Sequence, residues 1–228
     1  AQILVNSSNI GSALIAKVVG QKIQKRYFDL LELTKAPDLP ILEIAQPIYD
    51  ESWPKSTSIT ASYGYGIAIS PIQLASAIAC IFNDGKFVKP KLIIDSRKEP
   101  EKKIFKSDTS LKLRKLARAV VTHPDGSGKK ANAHGYLVGG KTGTAEKISV
   151  NGGFQENTNL ASFVGVFPIH EPKYLVLVLI DEPKPQIKKL NHMYTTGGQV
   201  AAPVVKEIIN KIAPVLNVHP IDTNLPNI

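Results

Sequence analysis

The sequence predicts an α+β protein built on an antiparallel sheet. Up to Thr122 the apolar residues recur mainly at helical spacing, and after Gly135 the pattern becomes strand-like. Two of the strand-like runs, "LASFVGVFPI" (160–169) and "YLVLVLIDE" (174–182), are separated only by "HEPK" (170–173). So short a turn joins antiparallel strands, because a parallel pair needs a crossover of about a dozen residues or more.

The elements follow in order. Residues 10–28 are expected as one helix, with Ile10, Ala13, Leu14, Ala16, Val18 and Ile23 on its apolar face and Ser8 or Asn9 as N-cap. Pro37, Pro40, Pro47 and Pro54 make 34–60 an extended excursion. Ser70, Pro71 and Gln73 have capping-box spacing, so a helix runs from there to about Asn83, where Gly85 ends it. Leu111, Leu113, Leu116, Ala117 and Val120 mark a helix over 109–122, before the Gly-rich loop "PDGSGKK". Strands are expected at 136–150, 160–169 and 174–182, with a turn at 151–153. A last helix spans about 202–212 with Pro203 near its start, so 1–216 forms the folded part and 217–228 a loose tail.

Composition narrows the function classes. The 228 residues carry a formal net charge of +9 and are 43% hydrophobic, enough for a core. The cations are scattered, with denser clusters at Lys102–Lys103 and Lys184–Lys189, and no stacking aromatics interleave with them. A basic soluble surface is therefore expected rather than a nucleic-acid interface. The single cysteine, Cys80, lies in the apolar run "LASAIACIF" and is expected as a small buried hydrophobe. No run reaches the length of a membrane span. His123, His134, His170, His192 and His219 are too dispersed for a ligand pair, so no metal site is expected.

The stretch "GYLVGGKTGTAE" (135–146) has two spellings. Gly135, Gly140, Lys141 and Thr142 fit the phosphate-cradling P-loop, and "YLVLVLIDE" ending in Asp181 and Glu182 resembles its Walker B partner. A P-loop requires a strand before its first Gly and a helix beginning at its Lys. Here "PDGSGKKANAH" precedes Gly135, Tyr136 to Val138 occupy the loop positions, and the following strands form a hairpin. The nucleotide reading is rejected.

The other spelling is K-T-G, Lys141 to Gly143, a signature of penicillin-reactive serine acyl-transferases. On an edge strand the Lys supplies positive charge and the Thr hydroxyl can hydrogen-bond a substrate carboxylate. The Gly admits substrate backbone, and the N–H of Thr144 can point into an oxyanion hole. "NSSNIG" adds S-x-N, with Ser7 and Asn9 in the chemical positions and a helix cap as the plainer explanation.

Four blocks in order carry a family resemblance: "VNSSNIGSALIAK", "SYGYGIAISPIQLASAIACIFNDGKFVKPKLI", "GYLVGGKTGTAEK" and "YTTGGQVAAPVVKEIINKIAPVL". Together they resemble the C-terminal part of the transpeptidase domain of class B penicillin-binding proteins, of the septal type. The resemblance implies the penicillin-binding/β-lactamase-like fold, an antiparallel sheet with helices on both faces, incomplete at the N-terminus. It implies peptidoglycan D,D-transpeptidation: a nucleophilic Ser attacks a D-Ala-D-Ala stem peptide, and β-lactams acylate the same Ser. By match, Ser7 relays protons, Asn9 binds a donor amide, Lys141 holds a charged network with Ser7, and Thr142 takes the donor carboxylate. Gly143 admits the donor backbone, Thr144 supplies half of the oxyanion hole, and Tyr194 borders the site. No cofactor is needed. The implied partners are stem peptides, β-lactams and, for the parent protein, division proteins. The implied location is extracytoplasmic, with the parent anchored in the inner membrane through an N-terminal segment absent here.

One departure from the family matters. The nucleophile motif S-x-x-K belongs before S-x-N, and Ser7 lies too near Ala1 to allow it. The strings "SWPK" (52–55) and "SGKK" (127–130) come later, one with Pro54 inside it and one in the Gly-rich loop. Both are taken as accidents, and the chain is expected to be inactive alone, with the strand at 174–182 left as an open sheet edge. The alternatives are a non-catalytic scaffold of the same fold, or a β-lactam hydrolase. Against the hydrolase, none of Glu32, Glu43, Glu51, Glu99 and Glu101 has Asn four residues on, as that family's deacylating Glu does.

Overall fold

The computed structural model describes residues 1–94, 100–148, 153–184 and 195–221. Two units divide the chain, one formed by Ser8–Leu113 and the other by Ala1–Ser7 with the chain from Arg114 onward.

The first unit is helical. Helices α2 (Asn9–Val19) and α3 (Gln21–Leu30) stand where one helix was expected. Gly20 separates them at φ 82°, a backbone conformation that glycine adopts without the Cβ penalty. Helix α1 (Gln2–Val5) precedes them in the chain and belongs to the other unit. The Pro-rich excursion holds strand β1 (Ile48–Tyr49) and, unanticipated, helix α4 (Lys55–Ala61). Its sequence, KSTSITA, has weak helix propensity, so tertiary packing holds it. Gln24 donates to Ser58 O at 2.9 Å, and Ser58 and Ala61 are buried. Trp53, just upstream, is buried edge-on against Phe28 and donates from Nε1 to Gln24 Oε1 at 3.0 Å.

Strand β2 (Ile67–Ala68) pairs antiparallel with β1. Helix α5 (Pro71–Phe82) begins in the expected capping box of Ser70 and Gln73. Gln73 does more than cap: its amide also donates to Glu32 O (3.1 Å) and Lys35 O (2.7 Å), tethering the chain after α3. Cys80 is fully buried with Leu31, Leu33 and Ala77, and burial pushes its thiol up to about 11, as befits a core residue.

Helix α6 (Ser107–Thr122) begins in one unit and ends in the other. The second unit then forms a three-stranded antiparallel sheet in the order β3 (Gly139–Ile148), β4 (Phe154–Phe167), β5 (Tyr174–Asp181). The hairpin expected from "HEPK" is present, pairing Phe167 with Tyr174 and Leu160 with Asp181. β3 starts at Gly139 rather than Tyr136, and β4 extends further toward the N-terminus than expected. The turn expected at 151–153 lies largely outside the described residues. β5 occupies one edge of this sheet and β3 the other.

The closing helix α7 (Gly197–Val215) is longer than the expected span, and Pro203 and Pro214 lie inside it. It covers the sheet with Ala201, Ala202, Val205, Ile209 and Ala213, all inaccessible to solvent, against Phe163 and Phe167. The stretch expected as a loose tail begins packed: Val218 joins this core, and Ile221 N donates to Gly135 O. Among the described residues no helix is long and apolar enough to cross a membrane.

Phe163 is fully buried and pairs with Thr142 across the sheet. Replacing it with Ala should lower unfolding free energy by about 3–5 kcal/mol through lost burial and a residual cavity. Chemical unfolding curves of the two proteins check this.

Candidate active site

The K-T-G residues lie on β3, an edge strand of the described sheet. The register is regular through the motif: Lys141 opposite Val164, Thr142 opposite Phe163, Gly143 opposite Ser162, Thr144 opposite Ala161. A P-loop lysine would begin a helix after a parallel strand. Lys141 is instead the third residue of an antiparallel strand, which removes the nucleotide reading structurally. The Walker-B-like acids have a plainer role, since Lys147 reaches both Asp181 (3.1 Å) and Glu182 (2.8 Å). Those two bonds hold the Lys147 ammonium above its usual range.

Ser7 arrives from the other end of the sequence. Val5 at the end of α1 accepts from Ser127 N at 3.1 Å, which ties the N-terminal segment to its unit. Ser7 then takes φ 54°, uncommon for a non-glycine residue. The next residue, Ser8, is the N-cap of α2, accepting from Gly11 N at 3.1 Å. The helix cap and the chemical serine are thus neighbours rather than rivals.

Lys141 Nζ donates to Ser7 Oγ at 2.5 Å, to Thr142 O at 3.0 Å and to Thr142 Oγ1 at 3.3 Å. Its three N–H donors meet three neutral acceptors. Burial disfavours the ammonium and lowers its pKa from 10.5 to about 8. Lowering the pKa in this way makes the ammonium a readier proton donor to Ser7 than an exposed lysine.

Thr144 Oγ1 accepts from Gly197 N at 3.0 Å, so a strand residue caps α7. The helix comes so close to the strand that a Cβ at Gly197 would overlap the carbonyl oxygens of Ser162 and Gly143. Only glycine fits there, and the contact holds the Gly143–Thr144 peptide against the helix.

Of the expected site residues, the structure brings together Ser7, Lys141 and Thr142, and fixes Gly143 and Thr144 beside them. Asn9 belongs to the helical unit, where it is the exposed first residue of α2. Tyr194 lies outside the described residues. One residue passed over in sequence is close by: Thr142 Oγ1 donates to Ser127 Oγ at 3.0 Å. No local signal beyond the Gly-rich loop marks it. Neither late S-x-x-K string forms a base pair of its own. Ser52 donates to Asp50 at 2.6 Å, and the Lys130 ammonium sits on Gln199 Oε1. Among the described residues no group of His, Cys, Asp and Glu could hold a metal ion.

Comparison with known proteins agrees with this geometry. The family profile of the penicillin binding protein transpeptidase domain matches residues 1–210. A probable peptidoglycan D,D-transpeptidase FtsI of Caulobacter vibrioides is 37% identical over 95% of this chain and 38% of its own length. Stage V sporulation protein D of Bacillus subtilis is 34% identical over 71% of this chain and 25% of its own. The transpeptidase domain of penicillin-binding protein 3 from Burkholderia pseudomallei superposes with a TM-score of 0.85 at 32% identity, covering 98% of this chain and 65% of that one. The chain belongs to the penicillin-binding protein transpeptidase domain family. It spans about two fifths of the length of the Caulobacter relative.

Lys141 should titrate near pH 8 instead of 10.5. NMR of lysine-labelled protein across pH 6–11 checks this, and a midpoint at the ordinary value would rule out the effect of burial.

Proposed function

We propose that the chain is part of a serine D,D-transpeptidase that cross-links peptidoglycan stem peptides during cell division and is acylated by β-lactams. The observation that carries this is the convergence of Ser7, Lys141 and Thr142 from distant parts of the sequence within hydrogen-bond distance. A serine nucleophile attacks the penultimate D-Ala carbonyl of the donor. The ester bond forms, the C–N bond breaks, and D-Ala leaves with a proton. An amine of a second stem peptide then takes the acyl group and returns the serine.

In this reading Ser7 hands its hydroxyl proton to the departing amine, and the Lys141 ammonium replaces it. The lowered pKa of Lys141 supports that role, since burial makes its ammonium a readier proton donor to Ser7 than an exposed lysine would be. Thr142 binds the donor's terminal carboxylate, Gly143 admits the donor backbone, and Asn9 binds a donor amide. The Thr144 N–H stabilises the oxyanion, and the grip of α7 on Thr144 supports this by pre-organising the peptide. The acylated serine and its base are supplied by a part of the parent that this chain does not span. Ser52 and Ser127 lack a lysine base, which supports that assignment. The parent works outside the cytoplasmic membrane, anchored by an N-terminal segment, with division proteins as partners.

Labelling with a fluorescent penicillin tests the proposal. The full-length parent should give a stable labelled band on a denaturing gel, and this chain alone should give none. Lys141→Ala or Ser7→Ala in the full-length protein should slow labelling by about a hundredfold or more. An unlabelled parent would leave the scaffold reading in its place. Rapid turnover of a chromogenic β-lactam by the parent would favour the hydrolase.

A further inference from the structure

A cavity of about 670 Å³ opens beside α3, lined entirely by residues of the helical unit. That volume falls in the range of ligand-binding clefts. One wall is α3 itself, with Lys22, Lys25, Arg26 and Asp29, and another is the turn at 51–53. The turn is held from several sides. Gln21 Nε2 donates to Trp53 O at 3.2 Å, Trp53 N to Asp50 O at 3.0 Å, and Ser52 Oγ to Asp50 Oδ1 at 2.6 Å. Trp53 takes φ 47°, which for so bulky a residue is a genuine outlier. Strained residues persist only where the surroundings over-determine them, and they gather at binding sites.

The charges around the cavity do not cancel. Lys22, Lys25, Arg26 and Lys102 stand against Asp29 and Glu51, four cations to two carboxylates. Half of these groups are already engaged. Lys25 and Thr34 both donate to Asp29, at 2.6 and 2.5 Å, and Lys102 donates to Leu30 O at 2.8 Å. Lys22, Arg26 and Glu51 have no hydrogen bond or ion pair among the described residues. Two cations one helical turn apart are thus presented without a counter-charge, and one carboxylate acceptor lines the same cavity.

We propose that this cavity is a docking site for an extended acidic segment of a partner protein, whose carboxylates at alternate residues are taken by Lys22 and Arg26. The inference stands apart from the transpeptidase reading. Spacing favours it. Lys22 and Arg26 are i and i+4 on α3, about 6 Å apart at Cβ, and alternate residues of an extended chain are about 6.5 Å apart on one side. Arg26 can hold a carboxylate through two parallel N–H donors, while Lys22 supplies a point charge. Glu51 selects among anions. It can accept a main-chain N–H from a peptide, whereas a phosphate has no N–H to offer and meets its charge. A glycan is disfavoured because the Trp53 ring is buried edge-on against Phe28 and Tyr49, which leaves no open face for a sugar.

The test measures, by fluorescence anisotropy, binding of a fluorescein-labelled peptide of five Glu-Ser repeats to the full-length protein. The peptide should bind, more weakly as salt rises, and a counterpart of five Gln-Ser repeats should not. Lys22→Gln combined with Arg26→Gln should weaken binding about three- to thirtyfold, the loss expected for two exposed charge pairs. Lys112→Gln combined with Lys115→Gln removes the same charge from α6, outside the cavity, and should change binding by less than about twofold. Thermal melting shows that each variant is folded. Equal losses in the two double variants would make binding a matter of general basicity and overturn the proposal, as would no binding of the Glu-Ser peptide. Binding of inorganic phosphate or phosphatidylglycerol vesicles that depends on Lys22 and Arg26, while peptide binding does not, would assign the cavity to another ligand and overturn it too.

Discussion

The Lys141 amine is held out of water by neutral groups, and the rest of the site is arranged around that constraint. A buried ammonium loses hydration, and Ser7 and Thr142 return only hydrogen bonds, with no opposite charge among them. The ammonium is therefore a stability cost of the folded state. At pH below about 8 the lysine is charged whether folded or unfolded, and the cost is present in full. Between about 8 and 10.5 the unfolded chain binds more protons than the folded one, so the cost is relieved as pH rises. The same burial that costs stability is what lowers the proton affinity of the amine.

Such a group is useful only if its acceptors are fixed, and the fold fixes them from three directions. The N-terminal segment brings Ser7 through α1 and the Ser127–Val5 bond. The sheet brings Thr142, with Phe163 opposite it in the core. Helix α7 presses its first turn onto Gly143 and is capped by Thr144. The small residues of the motif reflect that crowding as much as they reflect substrate access. A side chain at Gly197 would have to displace two backbone carbonyls, and interiors packed at this density do not yield cheaply.

Much of this was legible without coordinates because its causes are local. The box of Ser70 and Gln73 is defined within four residues and appears as expected. The "HEPK" turn dictates an antiparallel hairpin by its length, and with the missing strand before Gly135 and the apolar residues in the loop positions it counted against the P-loop. What was misjudged depends on remote partners. Helix α4 has poor intrinsic propensity and is held by Gln24 and its neighbour Trp53. The long residues 10–28 pattern gave no warning that Gly20 would turn the chain between α2 and α3. Helix α7 starts early because Thr144, more than fifty residues away, accepts from Gly197 N and so caps a glycine-led turn that propensity would leave out.

By itself, the sequence determined the chemistry available: K-T-G on a strand, a serine before a helix, and four blocks in the order of the transpeptidase family. The motifs are contiguous, and contiguity is what a sequence displays. Only the tertiary structure decided which hydroxyls meet the lysine. Ser7 and Lys141 are 134 positions apart, and their contact depends on a short helix, a left-handed backbone turn and one backbone hydrogen bond. Ser127 was set aside as part of a chance S-x-x-K string. Its neighbours in space, Thr142, Val5 and Gly198, make it part of the site, because hydrogen bonding depends on distance and direction rather than on position in the chain.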